Sequence, residues 1–404
     1  IRLREGSREK LETAFDLSMA GASINAEGPI ADGKGAFLTS TTWSFLDLIV
    51  ESIGMTAVPE YNNHQLKIVY DLSPSNRIIL NALAGFDQIN IISENEVLTR
   101  GAESVDWEGE VYVAGASLQT LLGQHGYGLT TLSTVIKKSY TWVYNFGEKD
   151  YPWFTRDNII SEHTLKSDWF LRSDLGSFSV GALLRNIDFS YNEWGGTDSL
   201  FLYDTSFWDG EQWTVDDPLT IGVSHIQPEF NFKENETTWK MGTYGQWQAG
   251  LGKRVQVTAG GRVDYFTATE ELVMSPRVNL ELFLDDETNL HMGYGKHYQY
   301  PGYYLVYRDP DDRNHDLKAK FTHQFAVGIE HFLSPDFRGS LEGFYKRYEN
   351  LPTHYYWTNP KEKYPSTLEH RTHWLNEGEA RSRGFELFLQ KKMTQNWHLL
   401  FSYA

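Results

Sequence analysis

The feature that most constrains this chain is a period-two hydrophobic pattern between Met274 and Tyr300. Val278, Leu280, Leu282 and Leu284 fall on alternate positions, with Arg277, Asn279 and Glu281 among the residues between them. Asp285-Asp286-Glu287-Thr288 follows, without an apolar member. The alternation restarts as Leu290, Met292, Tyr294, Tyr298 and Tyr300, interleaved with Asn289, His291, Gly293, His297 and Gln299. A period of two puts one set on each face of a sheet. This hairpin therefore has one face that is greasy to its end and one that is polar and charged.

The chain has 404 residues, enough for two or three ordinary domains or one large β-structure. Aromatic residues make up 15% of it, yet it is not hydrophobic on average. It has no cysteine, which removes disulfides, thiolate metal sites and cysteine nucleophiles. A formal net charge of −18 argues against nucleic-acid binding, since phosphate affinity needs clustered cations. No stretch approaches the ~20 apolar residues of a membrane-spanning helix. That leaves open a membrane β-barrel, whose strands alternate over segments of roughly 10 residues.

Short polar turns and long connections alternate along the sequence. Ile30–Gly35, Ser73–Asn76, Gly123–Gly128, Asp174–Ser177, Gly250–Arg254, Asp285–Thr288, Ser334–Asp336 and Lys392–Asn396 carry the Pro, Gly, Asn, Asp and Ser that turns favour. The long connections are Ile91–Glu110, Gly147–Asp157, Asn192–Asn235, Pro301–Lys320 and Leu351–Glu379. Two strands per short turn predict about sixteen strands of membrane-barrel length. The later strands repeat the opening alternation, as in Phe325, Val327 and Ile329 against Gln324, Ala326, Gly328 and Glu330. A soluble sandwich would share loop lengths between its two ends, and a propeller would repeat a motif every ~40–50 residues; neither pattern is present. The best helical candidate is Thr42–Ile53. The residues alone thus point to an all-β, antiparallel transmembrane β-barrel.

Several stretches resemble the barrel of TonB-dependent receptors, the outer-membrane active transporters. Ser275-Pro276-Arg277-Val278-Asn279-Leu280, followed by Gly293-Tyr294-Gly295-Lys296-His297-Tyr298-Gln299-Tyr300-Pro301, is similar to the family's Ser-Pro-Arg strand and the Tyr-Gly-Arg/Lys…Pro strand after it. Asn314-His315-Asp316-Leu317-Lys318 leading into His323–Glu330 resembles its Asn-x-Asp-Leu-Lys segment, with Lys320 and its neighbours replacing the usual glutamate. Ala380–Glu386 resembles its Ala-x-x-x-Gly-hydrophobic-Glu strand. Glu27–Ile30 with Gly33–Leu38 resembles the first barrel hairpin of the subgroup carrying a carboxypeptidase-regulatory-like extension. The resemblance spans essentially the whole chain. It implies one β-barrel domain over residues 1–404, about sixteen of ~22 strands, without the plug domain and the closing strands. It also implies short periplasmic turns, long extracellular loops and residence in a Gram-negative outer membrane.

Candidate chemistry is sparse. His354, Tyr355, Tyr356, Trp357, His370, His373 and Trp374 share one long loop that offers both stacking surface and metal-capable nitrogens; ordinary surface histidines are the plainer account. Asp312, Asn314 and Asp316 mimic half of an EF-hand, but its glycine and terminal glutamate are missing, so a solvated loop is favoured. Arg262, Asp264, Arg277, Glu281, Glu330, Arg338, Glu342 and Glu386 suit ionic packing on a wet barrel interior. Tyr140, Trp142, Tyr144, Trp153, Trp169, Trp374 and Trp397 suit interfacial girdles or ligand stacking equally. No motif of a hydrolase or metalloprotease occurs, so no enzymatic step and no cofactor is expected.

The expected function is energised uptake of a scarce nutrient: a ferric siderophore, cobalamin, an oligosaccharide or a peptide. The resemblance implies a periplasmic TonB-type energy transducer acting through the plug, with outer-membrane lipid around the barrel. The alternatives are a passive porin-like or adhesin-like barrel and a secreted carbohydrate-binding β-protein.

Overall fold

The computed structural model describes residues 4–18, 21–45, 57–91, 103–145, 152–196, 198–203, 220–227, 229–307, 313–354, 373–394 and 396–404. Among them almost everything is strand. In chain order these are β1 (Glu12–Ser18), β2 (Gly21–Ile30), β3 (Gly35–Ser44), β4 (Ala57–Ser73), β5 (Asn76–Ile91), β6 (Glu103–Leu121), β7 (Gly126–Asn145), β8 (Phe154–Ser173), β9 (Gly176–Gly195) and β10 (Asp198–Tyr203). They continue as β11 (Thr220–Gln227), β12 (Phe230–Leu251), β13 (Val255–Phe266), β14 (Glu271–Phe283), β15 (Thr288–Gln299), β16 (Lys320–Ser334), β17 (Phe337–His354), β18 (Trp374–Thr394) and β19 (Trp397–Tyr403). Seventeen belong to the main antiparallel sheet; β10 and β11 pair with each other.

The eight short turns all fall between paired neighbours: β2/β3, β4/β5, β6/β7, β8/β9, β12/β13, β14/β15, β16/β17 and β18/β19. These sixteen strands are the ones the turn count predicts. At the β18/β19 turn Asn396 takes φ 63°, a left-handed value that asparagine tolerates.

Two expectations need correcting. Thr42–Ser44 belong to β3, so the helix expected over Thr42–Ile53 does not begin there; residues 46–53 lie outside the described set. The end bearing the long connections is not uniformly long, because β13 and β14 are joined by the four residues 267–270. The Pro301–Lys320 connection contains a short helix, α1 (Tyr303–Tyr307), and a 3-10 turn (Arg313–Asp316). The strand pattern had no means of announcing either, since each is a single turn.

Two compact units divide the chain. One comprises Ile1–Leu118, Thr131–Thr164 and Asn186–Thr237, the other Gln119–Thr130, Leu165–Arg185 and Thr238–Ala404. In the first, β1 through β5 form a meander, with Ile68 opposite Leu80 and Tyr70 opposite Ile78. In the second, β13 through β19 pair in sequence order.

The register of the second unit aligns side chains into rows. Leu282, Leu290, Ile329, Leu341 and Leu387 form one apolar row; Leu280, Met292, Val327, Gly343 and Phe385 form the next. Val278, Tyr294, Phe325 and Tyr345 follow, one step further from the short turns. These rows are not covered by protein. Phe325 is 48% exposed, Val327 50%, Leu333 59% and Phe385 55%. A water-soluble sandwich would bury such a face, because each large apolar side chain is worth roughly 1.5–3 kcal/mol on leaving water. A face this apolar and this open is built for lipid.

Candidate functional site

The opposite face of the same strands is polar and internally bonded. Gln256, Glu281, His291, Gly328, Glu342 and Glu386 make one row in register. His291 on β15 reaches past β16 to Glu342 on β17, with Nε2 3.0 Å from the carboxylate Oε2. Gly328 makes this possible: a Cβ there would lie 2.2 Å from that nitrogen. The same device recurs at Gly181, over which Tyr244 of β12 donates its hydroxyl hydrogen to Asp168 of β8 at 2.8 Å. Arg262 binds Asp264 at 2.6 Å, and Arg338 donates to Glu330 at 3.1 Å and to Gln390 at 2.9 Å. The expectation of ionic packing on this face therefore fits Arg262, Asp264, Glu330, Arg338 and Glu342; Arg277, Glu281 and Glu386 lie on the same face.

Where the long connections leave the second unit, the chain packs a small polar-aromatic knob. Its centre is Asn314, fully buried. The carboxamide nitrogen donates to the Leu305 carbonyl at 2.7 Å, and its oxygen accepts the Trp374 backbone N–H at 2.9 Å. One side chain thus ties α1 to the first residue of β18. Asn376 repeats the device, accepting from the Lys318 N–H and donating to the carbonyls of Lys318 and Asn350. The Glu271 carboxylate accepts the Ala319 N–H at 2.6 Å. Val306, Leu317 and Ala319 fill the interior. Lys240 lies 4.4 Å above the Phe266 ring centroid and 4.5 Å above that of Tyr303, a cation–π clamp on α1. Tyr300 donates its hydroxyl hydrogen to the carbonyls of Asp264 and Glu271, and burial pushes its phenol well above the ordinary range.

The loop residues expected to capture ligand divide as follows. His354 ends β17 and Trp374 begins β18; they oppose each other in register, with ring centroids 5.2 Å apart and edge-to-face. His373 stands beside them in sequence. Tyr355, Tyr356, Trp357 and His370 lie outside the described residues. Of the calcium candidates, Asn314 spends its carboxamide inside the knob, Asp316 is exposed on the same turn, and Asp312 lies outside the described residues. No group of three His, Cys, Asp or Glu able to hold a metal occurs among the described residues.

Two of the aromatic residues assigned to girdles or stacking have other work. Tyr144 is buried, with its hydroxyl on Asp106 at 3.2 Å, and the Trp169 ring covers Gly128. Lys240 is a structural residue that reading by pattern misses, and Asn314 one to which it gives the wrong role. An asparagine in a polar loop and a lysine in an alternating strand carry no signal of their own; only the three-dimensional neighbours give them one.

An open apolar face backed by a bonded polar face, with short turns at one end and long connections at the other, defines a transmembrane β-barrel of the bacterial outer-membrane type. The sequence matches the family model described as TonB dependent receptor-like, beta-barrel, over residues 62–404. The chain belongs to that family, whose barrels reside in the Gram-negative outer membrane. Among solved structures it is similar to the pyoverdine outer membrane receptor FpvA of Pseudomonas aeruginosa, with TM-score 0.67 and 14% identity over 96% of this chain and 60% of that one. It is also similar to a variant of the ferric enterobactin receptor PfeA of Pseudomonas aeruginosa (0.64, 14%, 97% and 60%). The outer membrane transporter YddB of Escherichia coli gives 0.61 at 11% identity, over 94% and 51%. The chain thus spans little more than half the length of these proteins. No curated protein matches the sequence.

Proposed function

We propose that this chain supplies barrel strands of an energised outer-membrane transporter, and that its cargo is a ferric siderophore. The observation that carries the first half is the family match over residues 62–404, on strands whose short-turn and long-connection ends are those of an outer-membrane receptor. The cargo reading draws on the neighbours, two of which are receptors named for pyoverdine and ferric enterobactin. It rests also on the His- and aromatic-rich loop. His354 and Trp374 hold the base of that loop as an edge-to-face pair, and Tyr355, Tyr356, Trp357, His370 and His373 complete a segment suited to a planar, aromatic, iron-bearing ligand. In this reading the plug region and a periplasmic TonB-type partner supply the energy coupling, and the barrel supplies passage and positioning.

Uptake of labelled ferric siderophores by cells expressing the full receptor tests the proposal. Uptake should saturate and should stop when the proton gradient is collapsed by an uncoupler. Uptake that persists in the uncoupled cells would identify a passive channel instead. Saturable, energy-dependent uptake of another nutrient class, with no ferric chelate transported, would keep the transporter and overturn the cargo.

A further inference from the structure

The polar face of β13 to β18 sorts its charges by row. The row of Gln256, Glu281, His291, Gly328, Glu342 and Glu386 is acidic. Further from the short turns, the register sets Gly260, Arg277, Gly295, Gln324, Lys346 and Ser382 side by side. The row between them, Thr258, Asn279, Gly293, Ala326, Phe344 and Gly384, holds no charge. On the far side Thr322, Tyr348 and Ala380 follow on β16 to β18, again without a carboxylate.

Other cations of this face are engaged within the protein: Arg262 with Asp264, Arg338 with Glu330 and His291 with Glu342. Arg277 and Lys346 form no ion pair with a carboxylate among the described residues. Glycine opens the ground around the first of them. Gly260 and Gly295 flank Arg277 on its two neighbouring strands, so no side chain rises from either to cover the guanidinium. The His297 imidazole folds over Gly295 instead, its Nε2 lying 2.6 Å from where a Cβ would stand. Lys346 rests its ammonium over the Phe344 ring at 5.0 Å. Across β14 to β17 the row thus presents a guanidinium, an imidazole, a carboxamide and an ammonium.

Each of these groups can donate a hydrogen bond, and two of them are cations near neutral pH. Bonds from charged donors to anionic oxygens are roughly twice as strong as neutral ones. Strands ~4.8 Å apart put the backbones of Arg277 and Lys346 about 14 Å apart. Both side chains are long enough to lean inward over Gly295 and Gln324. An anion lying across the row would meet donors at both ends and in the middle. The carboxylates of the acidic row, about 13 Å away along the strand, would keep it from sliding towards the short turns.

We propose that Arg277 and Lys346, with His297 and Gln324 between them, form a binding row for a multiply charged ligand whose anionic oxygens are carboxylates. For its physiological occupant the inference rests on the transporter reading, in which the polar face lines the lumen and a carboxylate-bearing ferric chelate passes along it. Anion binding itself needs no energised uptake, so the two readings fail separately.

The test uses the purified full receptor in detergent micelles, titrated calorimetrically with tricarballylate, a metal-free tricarboxylate, and with its neutral triamide. The wild type should bind the tricarboxylate and not the triamide. Loss of one charge-assisted contact is worth roughly tenfold in affinity. Arg277→Gln and Lys346→Gln should therefore each weaken binding about tenfold, and the double variant about a hundredfold. Glu281→Gln, in the acidic row, should bind at least as tightly as the parent. Every variant should keep the parent's heat-modifiable gel mobility. Equal binding of the triamide, parental affinity in the double variant, or an equal loss in Glu281→Gln would overturn the proposal, as would a wild type that binds neither compound. Should the double variant fail to fold, Lys346→Gln alone carries the test, with parental affinity refuting it. Tricarballylate binding in a receptor whose uptake ignores the uncoupler would support the row and overturn the transporter reading alone.

Discussion

Charge placed on the two faces of β16 should have opposite consequences, and the size of the difference follows from position. From Leu333 to the polar His323, β16 climbs about 25 Å at ~3.3 Å per residue and a ~40° tilt, the thickness of a barrel's apolar band, and Val327 sits within about 3 Å of the midpoint. Its side chain is 50% exposed in the protein alone, and that exposed surface is what lipid covers. An arginine at the midplane of a barrel's lipid face costs roughly 2–4 kcal/mol, which is the expectation for Val327→Arg. Three residues away, Glu330 points to the other face, where Arg338 donates to it at 3.1 Å and both side chains remain partly solvated. Such a pair is worth about 0–1 kcal/mol, so Glu330→Gln should cost no more than that. The gap of at least ~1 kcal/mol is a factor of about five or more in the folding equilibrium. Urea titration of protein folded into phosphatidylcholine vesicles, read by heat-modifiable gel mobility, measures both variants on one scale. Val327→Arg folding within about 0.5 kcal/mol of the parent, or Glu330→Gln costing as much as Val327→Arg, would refute the assignment of the two faces.

Other perturbations test the joints of the fold. Gly176 has φ +117°, and a Cβ there would lie 2.4 Å from the Gln248 carbonyl oxygen; Gly176→Ala should cost about 3 kcal/mol or block folding, measured in the same titration. Asn314→Ala leaves the Leu305 carbonyl and the Trp374 N–H without the partner they now have. The expected cost is about 1–3 kcal/mol, confined to the knob: proteolysis between Tyr303 and Leu317 should quicken while the strands stay protected. Asp336, in the turn between β16 and β17, accepts from the Lys391 ammonium, Ser334 and Thr394 and is held well below the ordinary carboxylate range, Lys391 contributing most. Its stabilisation is complete above the unfolded carboxylate value of about 3.9 and is lost as pH falls through the lower folded value. Asp336→Asn should therefore flatten the acid limb of the unfolding profile below about pH 4, leaving the neutral region parallel to the parent. Deleting residues 355–373 should weaken ligand binding while leaving the barrel assembled, because His354 and Trp374 already face each other in register across β17 and β18; unchanged affinity would remove the loop from the capture site.

The strands were legible because their signal is local and periodic. Each of the eight turns that the sequence marks by polar, turn-prone residues joins two strands in the structure, and the alternation through Leu290, Met292 and Tyr294 predicts the apolar rows residue for residue. What pattern could not supply is what neighbouring strands do to one another. Gly328 reads as a polar-face glycine like any other. It matters only because His291 on one side must pass over it to reach Glu342 on the other. Lys240 reads as one more polar-face residue until α1, a single turn of helix, carries Tyr303 over it. Asn314 drew notice as a calcium ligand because oxygen-rich loops look alike in one dimension; burial turned the same carboxamide into a bridge between two backbone groups.

A row of cations at the edge of the apolar face shows the same limit from the other direction. Lys296, His323, Arg347 and Arg381 lie 27, 24 and 34 residues apart in sequence and share no motif. They become one surface only through three successive registers, β15 on β16, β16 on β17 and β17 on β18. A slip of one residue in any of those pairings would send part of the row to the other face, where Arg262, Asp264, Glu330 and Glu342 already form their own pairs. The charges are therefore sorted by register into two populations. One is neutralised within the protein on the polar face; the other is left partly uncompensated at the edge of the lipid face. The first population needs nothing from outside the chain. The second is set on the lipid side by register alone.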